Sequence, residues 1–328
     1  MSSSSWRGSR GPLSLPRNIP QTRFVVTTTN VGDEMNDTAA GGSTGDALAG
    51  GTRMGAIELR VHDLDTMLAY HRDVLALEHI ATEGATHVLG RYGVPTVTLT
   101  HSPGLPAFNR GGAGLFHTAV VFETRASLAA AVARVAQSGI GHFTGSADHL
   151  VSEAFYFDDL EGNGVELYFD RPRATWERGP GGKPLMDTLH LDPNAFLSTH
   201  MAEAELERPA GIASVGHVHL QVGDIPTAKA FYVDTLGFDE VVNMGSALFV
   251  AAGGYHHHVG LNVWNSRGAG PRAASLGLGT MDIVLPDADG LGALRDRLAF
   301  RGVEAADDGR TLRFPDPWGS QIRVTVGA

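Results

Sequence analysis

The chain has 328 residues, 42% hydrophobic and 19% charged, with 42 glycines, no cysteine and a formal net charge of −11. That length suits two ordinary domains or one double domain. The missing cysteines exclude disulfides, thiolate metal sites and cysteine nucleophiles, and the acidic balance without a Lys/Arg cluster argues against nucleic acid or another polyanion as partner. No apolar run approaches the roughly 18 residues of a membrane helix, and a cysteine-free chain is expected in the cytoplasm. Any metal would have to be held by carboxylates and by some of the 15 histidines, a donor set that suits iron, manganese or zinc.

Residues 1–52, rich in Ser, Thr, Gly and Arg without apolar periodicity, read as a disordered tail. No acidic residue precedes Asp33, so the opening stretch has the composition of a transit peptide; a plain tail, or an over-extended start with Met35 as the true first residue, is the simpler reading. From Met54 the chain repeats itself. Gly55-Ala-Ile-Glu-Leu-Arg-Val-His-Asp63 returns as Gly216-His-Val-His-Leu-Gln-Val-Gly-Asp224, and Tyr70, Leu75 and Leu77 meet Phe231, Leu236 and Phe238 at the same offset of 161. A constant long offset marks a duplicated unit.

Each copy divides again. Leu115–Phe122 reads as a strand, and 125–138 as an amphipathic helix with Leu128, Val132 and Val135 on one face; strands follow at Ser152–Phe157 and 164–169. The last copy keeps this order, with a strand at Met281–Leu285, a helix at Leu291–Arg301 and strands at Thr311–Phe314 and 321–326. The Asp159-Leu-Glu-Gly162 turn recurs as Asp316-Pro-Trp-Gly319. Four units result, near 54–103, 113–171, 214–265 and 277–326, grouped by chain order into halves 53–171 and 214–328 around a 172–213 connector. The expected class is α+β: four βαβββ units making two cupped, barrel-like mixed sheets with helices outside.

Four such units resemble the vicinal oxygen chelate superfamily, which includes glyoxalase I, bleomycin-resistance proteins and type I extradiol dioxygenases. Asp224-Ile, Ala230-Phe-Tyr232 and Leu236-Gly-Phe238 match the usual opening of a unit. Asp148-His-Leu-Val-Ser-Glu-Ala-Phe-Tyr156 with Gly162-Asn-Gly-Val-Glu166 is similar to the catalytic segment of extradiol dioxygenases. Asp170-Arg-Pro-Arg-Ala-Thr-Trp176 and Gly253-Gly-Tyr-His-His-His-Val-Gly260 are similar to its catechol-2,3-dioxygenase-like subgroup. The resemblance implies Fe(II)-dependent cleavage of a catechol-type diol by O2, with Mn(II) as the alternative metal, a role in aromatic catabolism, and often a homodimer.

In that family, metal ligands come from the first strand of each paired unit and the last strand of one. The corresponding positions here hold Ala56 in unit 1, His117 and Glu166 in unit 2, His217 in unit 3, and Thr280 and Arg323 in unit 4. Units paired in chain order give no complete set. Pairing unit 2 with unit 3 gives His117, Glu166 and His217, which leaves positions open for substrate and O2; units 1 and 4 then pair. His219 shares a strand face with His217 and is the rival ligand. His217 is preferred because its spacing to Leu220 and Val222 repeats that of His117 to Val120 and Phe122.

Three residues are expected to handle protons or bind oxygen. His149 is the candidate acid/base, Tyr156 the hydrogen-bond partner of a metal-bound oxygen, and His258, sharing a side with His256 opposite His257, a hydrogen-bond partner of substrate or peroxide. Asn262 and Trp264 are expected to line the pocket. Asp158–Glu166 does not fit the calcium-loop spacing, and neither a phosphate loop nor a Gly-x-Ser-x-Gly elbow occurs. A glyoxalase-like isomerase or lyase would want a second carboxylate, and unit 3 offers only Gly260, Leu261 and Asn262 on its last strand. A non-catalytic drug-binding module would have no use for the triad.

Overall fold

Alternation of apolar and polar residues along each strand builds the frame. On the strand through His217, the residues Val218, Leu220 and Val222 are buried in the apolar core, while His217, His219 and Gln221 occupy the opposite face. A computed structural model describes residues 47–327. Unit 1 comprises β1 (Arg53–Val61), α1 (Leu64–Ala69), β2 (Glu78–Glu83), β3 (Thr86–Arg91) and β4 (Val94–His101). Unit 2 comprises β5 (Gly114–Phe122), α2 (Arg125–Ser138), β6 (His142–Asp148), β7 (Ser152–Asp158) and β8 (Gly164–Asp170). The connector holds β9 (Leu189–His190), α3 (Pro193–His200) and α4 (Glu203–Glu207). Unit 3 has β10 (Ala213–Gln221), α5 (Ile225–Tyr232), β11 (Asp239–Asn243), β12 (Ala247–Ala251) and β13 (Val259–Asn262). Unit 4 has β14 (Gly277–Leu285), α6 (Ala288–Phe300), β15 (Ala306–Asp307), β16 (Thr311–Pro315) and β17 (Gln321–Val326).

In every unit the first strand pairs in parallel with the last, β1 with β4, β5 with β8, β10 with β13 and β14 with β17. The units join crosswise. One sheet of eight strands runs β15-β16-β17-β14-β1-β4-β3-β2, and the other, of nine, runs β11-β12-β13-β10-β5-β8-β7-β6-β9. Unit 4 therefore meets unit 1 through the antiparallel β1/β14 pair, and unit 3 meets unit 2 through β5/β10. This is the pairing that the ligand positions require. Both sheets are open at their edges and neither closes into a barrel.

Local signals end the elements where the chain must turn. Thr124 caps α2 by accepting from the Ser127 N–H, and Gly139 follows it at φ 64°, a left-handed stop. Alanines 129–131 and 133 are buried, because α2 is covered on more than one side, by β8 and β5 of the sheet and by α3 and α4 of the connector. Residues 47–52, assigned above to the tail, pack onto the fold instead. Leu48 is buried in the core and its N–H donates to Gly237 O, in the turn after α5, at 2.7 Å. The transit-like stretch and Met35 lie outside the described residues. No helix among the described residues is long and apolar enough to cross a membrane.

One buried histidine gives the fold a pH dependence of its own. His71 is 1% exposed, its Nδ1–H donates to Met67 O at 2.9 Å, and burial pushes its pKa down to about 4. The folded chain keeps this ring neutral, whereas the unfolded chain protonates it below the ordinary value of 6.5. Its contribution is complete above that value and is lost as pH falls toward the folded value, about 2 kcal/mol by pH 5. Urea unfolding at neutral pH and near pH 5 checks this: His71→Leu should lose less stability on acidification than the parent by that amount. Equal losses would show that His71 is already charged in the fold.

Candidate metal centre and its surroundings

The β5/β10 junction sets the site. Across it His219 faces His117 and His217 faces Ala119, with a break in register between Val215 and His217. Gly216 occupies that irregular point, where a Cβ would lie 1.8 Å from the Tyr168 hydroxyl oxygen. Parallel pairing of β5 with β8 sets Glu166 beside Ala119, and antiparallel pairing of β7 with β8 sets Tyr156 beside Glu166. A row Tyr156, Glu166, Ala119, His217 thus runs across four strands, and the small Ala119 leaves room above it for the His117 ring.

His117, Glu166 and His217 come together, each offering a ligand atom within 4.8 Å of the others. His217 Nε2 lies 3.0 Å from Glu166 Oε2, and His117 Nε2 lies 3.0 Å from the same oxygen but is not aligned for a hydrogen bond. All three side chains are buried. Burial works against charge on Glu166, but the imidazoles of His217 and His117 outweigh it and hold its carboxyl well below the usual carboxylate range. A buried carboxylate facing two imidazole nitrogens, one of them without a partner, is a set of lone pairs converging on one point. Two imidazoles and a carboxylate are a donor set for a divalent transition ion, so the residues fit a metal.

His219 does not join this group. Asn262 Oδ1 accepts from the Trp264 N–H at 3.1 Å, which turns its amide nitrogen toward His219 Nε2 at 3.0 Å. The Nε2 lone pair of His219 is therefore occupied. Its ring lies instead against Phe116, Phe249 and Trp264 at centroid distances of 5.1, 5.6 and 5.4 Å.

His149 and Tyr156 are coupled. Tyr156 OH and His149 Nε2 are 2.7 Å apart, and His149 Nδ1 is 2.8 Å from Asp187 O in the connector. A carbonyl only accepts, so Nδ1 carries the hydrogen and Nε2 receives that of Tyr156. The loop bearing His149 is braced by Arg171, which binds both Asp148 oxygens and Glu153. The phenol of Tyr156 also reaches Glu166, and burial raises its pKa well above the ordinary value.

The histidine run is placed differently from expectation. His258 turns away from the triad: its Nδ1 accepts from the Ala252 N–H at 3.1 Å, and its ring meets Tyr255 and Phe238 at 4.9 and 6.1 Å. His257 is the residue set against the triad, its ring centroid 4.0 Å from that of His217. Simple strand alternation failed because 255–258 precede β13 as a loop, where side chains need not alternate. Phe116, Phe249 and Asp170 were also missed, since nothing in their local sequence distinguishes them from core or turn residues. Trp264 stands at the edge, 40% exposed.

Crosswise-paired βαβββ units with a buried two-histidine, one-carboxylate cluster at the seam define a duplicated α+β protein with a candidate metal centre. Comparison with known proteins gives the family. Residues 214–324 match the Glyoxalase/Bleomycin resistance protein/Dioxygenase superfamily, a span covering units 3 and 4, which lie in different sheets. A catechol-2,3-dioxygenase of Bacillus subtilis (strain 168) is 36% identical over 274 residues, 81% of this chain and 94% of that protein. The chain belongs to this superfamily, also called vicinal oxygen chelate, and sits with its catechol-2,3-dioxygenase-like members. Solved structures share the fold. One is a candidate dioxygenase from Bacillus subtilis subsp. subtilis str. 168, at TM-score 0.57 and 15% identity, with 85% of this chain and 86% of that one covered. Another is glyoxalase I from Zea mays, at TM-score 0.51 and 17% identity, with 84% and 92% covered.

The close approach of β8 to β5 at the triad depends on Gly164, where a Cβ would lie 2.1 Å from Phe116 O and 2.9 Å from His117 Cβ. Gly164→Ala should destabilise the fold by about 1–3 kcal/mol in urea unfolding. Gly145→Ala, which meets nothing within 4 Å, is the neutral control. Equal midpoints for the two variants would refute the close approach.

Proposed function

We propose that this protein is an Fe(II)-dependent extradiol dioxygenase that opens the ring of a catechol-type diol with O2, Mn(II) being the alternative metal. The observation that carries this reading is the convergence of His117 Nε2 and His217 Nε2 on Glu166 Oε2, 3.0 Å from each, in a buried site. Similarity to a relative named catechol-2,3-dioxygenase supports it. A glyoxalase-like site would call for a second carboxylate, and among the described residues the cluster holds only Glu166.

When bound by these three residues, the ion supplies a chelation point for the two adjacent oxygens of the diol and an open position for O2. The chain's own residues manage orientation and protons. Phe116, Phe249 and Trp264 offer flat apolar surfaces around His219, suited to the face of an aromatic ring. His149 Nε2 accepts the Tyr156 proton, with its tautomer held by Asp187 O. As a diol O–H bond breaks, its proton passes to the Tyr156 oxygen while the Tyr156 O–H proton passes to His149 Nε2; Tyr156 stays neutral and His149 holds the proton as an imidazolium whose Nδ1–H still donates to Asp187 O.

Metal analysis after anaerobic purification, with an oxygen electrode and catechol, tests the reading. Iron or manganese, O2 uptake and a yellow ring-opened product are expected; nickel or zinc without O2 uptake overturns it. His117→Ala should lose both metal and activity, whereas His219→Ala should keep the metal. Retained metal in the first variant, or lost metal in the second, would show that the ligands are assigned wrongly. His149→Gln should keep its metal and lower kcat about 10²- to 10⁴-fold; an unchanged kcat removes His149 from the chemistry.

A further inference from the structure

Away from the triad, two guanidiniums in the interior are incompletely partnered. Arg91 stands at the end of β3 and is 2% exposed, with its guanidinium carbon 5.7 Å from the centre of the Phe122 ring. Its Nε and Nη2 donate to Ala76 O at 3.3 Å and to Leu75 O at 3.2 Å. Arg134, on α2, donates through Nη2 to Leu206 O at 3.1 Å and to Glu205 O. The Nη1 nitrogen of each is shut off from solvent and, among the described residues, has no hydrogen-bond partner.

The fold brings the two side chains together. Helix α2 packs on the 70–74 turn, which leads into the carbonyls that Arg91 binds, and on α4, which supplies those that Arg134 binds. Tyr92, next to Arg91, donates its hydroxyl to Pro209 O at 3.1 Å, so both arginines are tied to the same 205–209 stretch of the connector. Burial holds both below the usual arginine range, and at Arg134 the neighbouring charge of Arg91 adds to the lowering. A guanidinium does not deprotonate in a protein, so two positive charges stay close inside the fold. Glu205 is the carboxylate that acts on both, but its Oε2 is already held by Ser127 Oγ–H at 3.0 Å and by the Ala210 N–H at 2.9 Å. Glu78, exposed at the start of β2, acts on Arg91. Every hydrogen bond that the two arginines make goes to a neutral main-chain carbonyl. An unmet donor on a buried charge is strongly unfavourable, and two of them side by side call for one shared acceptor that carries negative charge.

We propose that Arg91 Nη1 and Arg134 Nη1 together hold one monatomic anion, a chloride, at the junction of unit 1, α2 and the connector. Both nitrogens are closed to solvent, so the ligand is small. A water molecule would accept from the donors and leave the charge unbalanced, whereas a halide does both. The ion would pin the two sheets to each other, because β3 belongs to the eight-stranded sheet and α2 covers the nine-stranded one. None of the triad residues takes part, and the site is independent of the function proposed above.

Thermal unfolding of the whole chain in sodium chloride or bromide, against sodium gluconate at equal ionic strength, reads the site in solution. The parent Tm should rise by about 2 °C with either halide and then level off. Arg134→Met, at a half-buried position, should lose that difference whatever its Tm in gluconate. Loss of the main-chain hydrogen bonds alone would lower Tm equally in every salt. Crystals grown in bromide should show an anomalous scattering peak in contact with both Nη1 atoms. A parent without a halide-specific rise, an Arg134→Met chain that keeps it, or no peak at that position overturns the site. A peak in the crystal without the rise in solution marks an adventitious ion only and overturns it as well.

Discussion

A carboxylate buried beneath two imidazoles is the constraint on which the site depends. Glu166 is 2% exposed and no lysine or arginine is among the groups that hold its charge. Burying an anion without compensation costs several kcal/mol. Here the facing groups are two imidazoles that are themselves inside the protein, and two of their nitrogens, His117 Nε2 and His217 Nδ1, have no hydrogen-bond partner. Such an arrangement is poor as a structural ion pair. It is a good one for a divalent ion, which would satisfy all three lone pairs together.

That convergence is possible only because the units pair crosswise. Each βαβββ unit brings its first and last strands side by side in parallel, so unit 2 by itself places His117 near Glu166. The third donor must come from the strand beyond β5. The antiparallel β5/β10 seam puts unit 3 there, with a register break at Gly216 that lets His217 sit beside Ala119. The other seam, β1/β14, has the same frame with different contents: Asp282 pairs with Arg323 there, and Glu58 accepts from Thr100. The same architecture thus carries a metal-type donor set at one seam and an internally neutralised ion pair at the other.

Around the triad, histidine chemistry is settled by neighbours that can act in one direction only. Asp187 O holds the hydrogen of His149 on Nδ1, the Asn262 amide occupies Nε2 of His219, and Asp170 orients His256. Burial keeps His219 and His257 from taking a proton, since charge in the interior is unfavourable beside other imidazoles. Several residues of one type are therefore placed differently, according to what stands behind each ring.

Much of this was legible in the chain. The repeat at offset 161, the recurring Asp-x-x-Gly turns and the strand periodicity defined four units; α2 fell at 125–138 as its apolar spacing required. The shortage of ligands in chain-order pairs pointed to the crosswise seam. These features are local or periodic, and periodicity survives in one dimension. What the tertiary structure decided was where side chains point once strands give way to loops. His258 points away from the triad and His257 lies against His217 because 255–258 lie outside a strand, so alternation no longer governs them. His219 was separated from His217 by an amide 43 positions away, and Asp170 meets His256 of a loop 86 positions away. No local pattern encodes such contacts, since they exist only after the sheet has brought distant segments within hydrogen-bond reach.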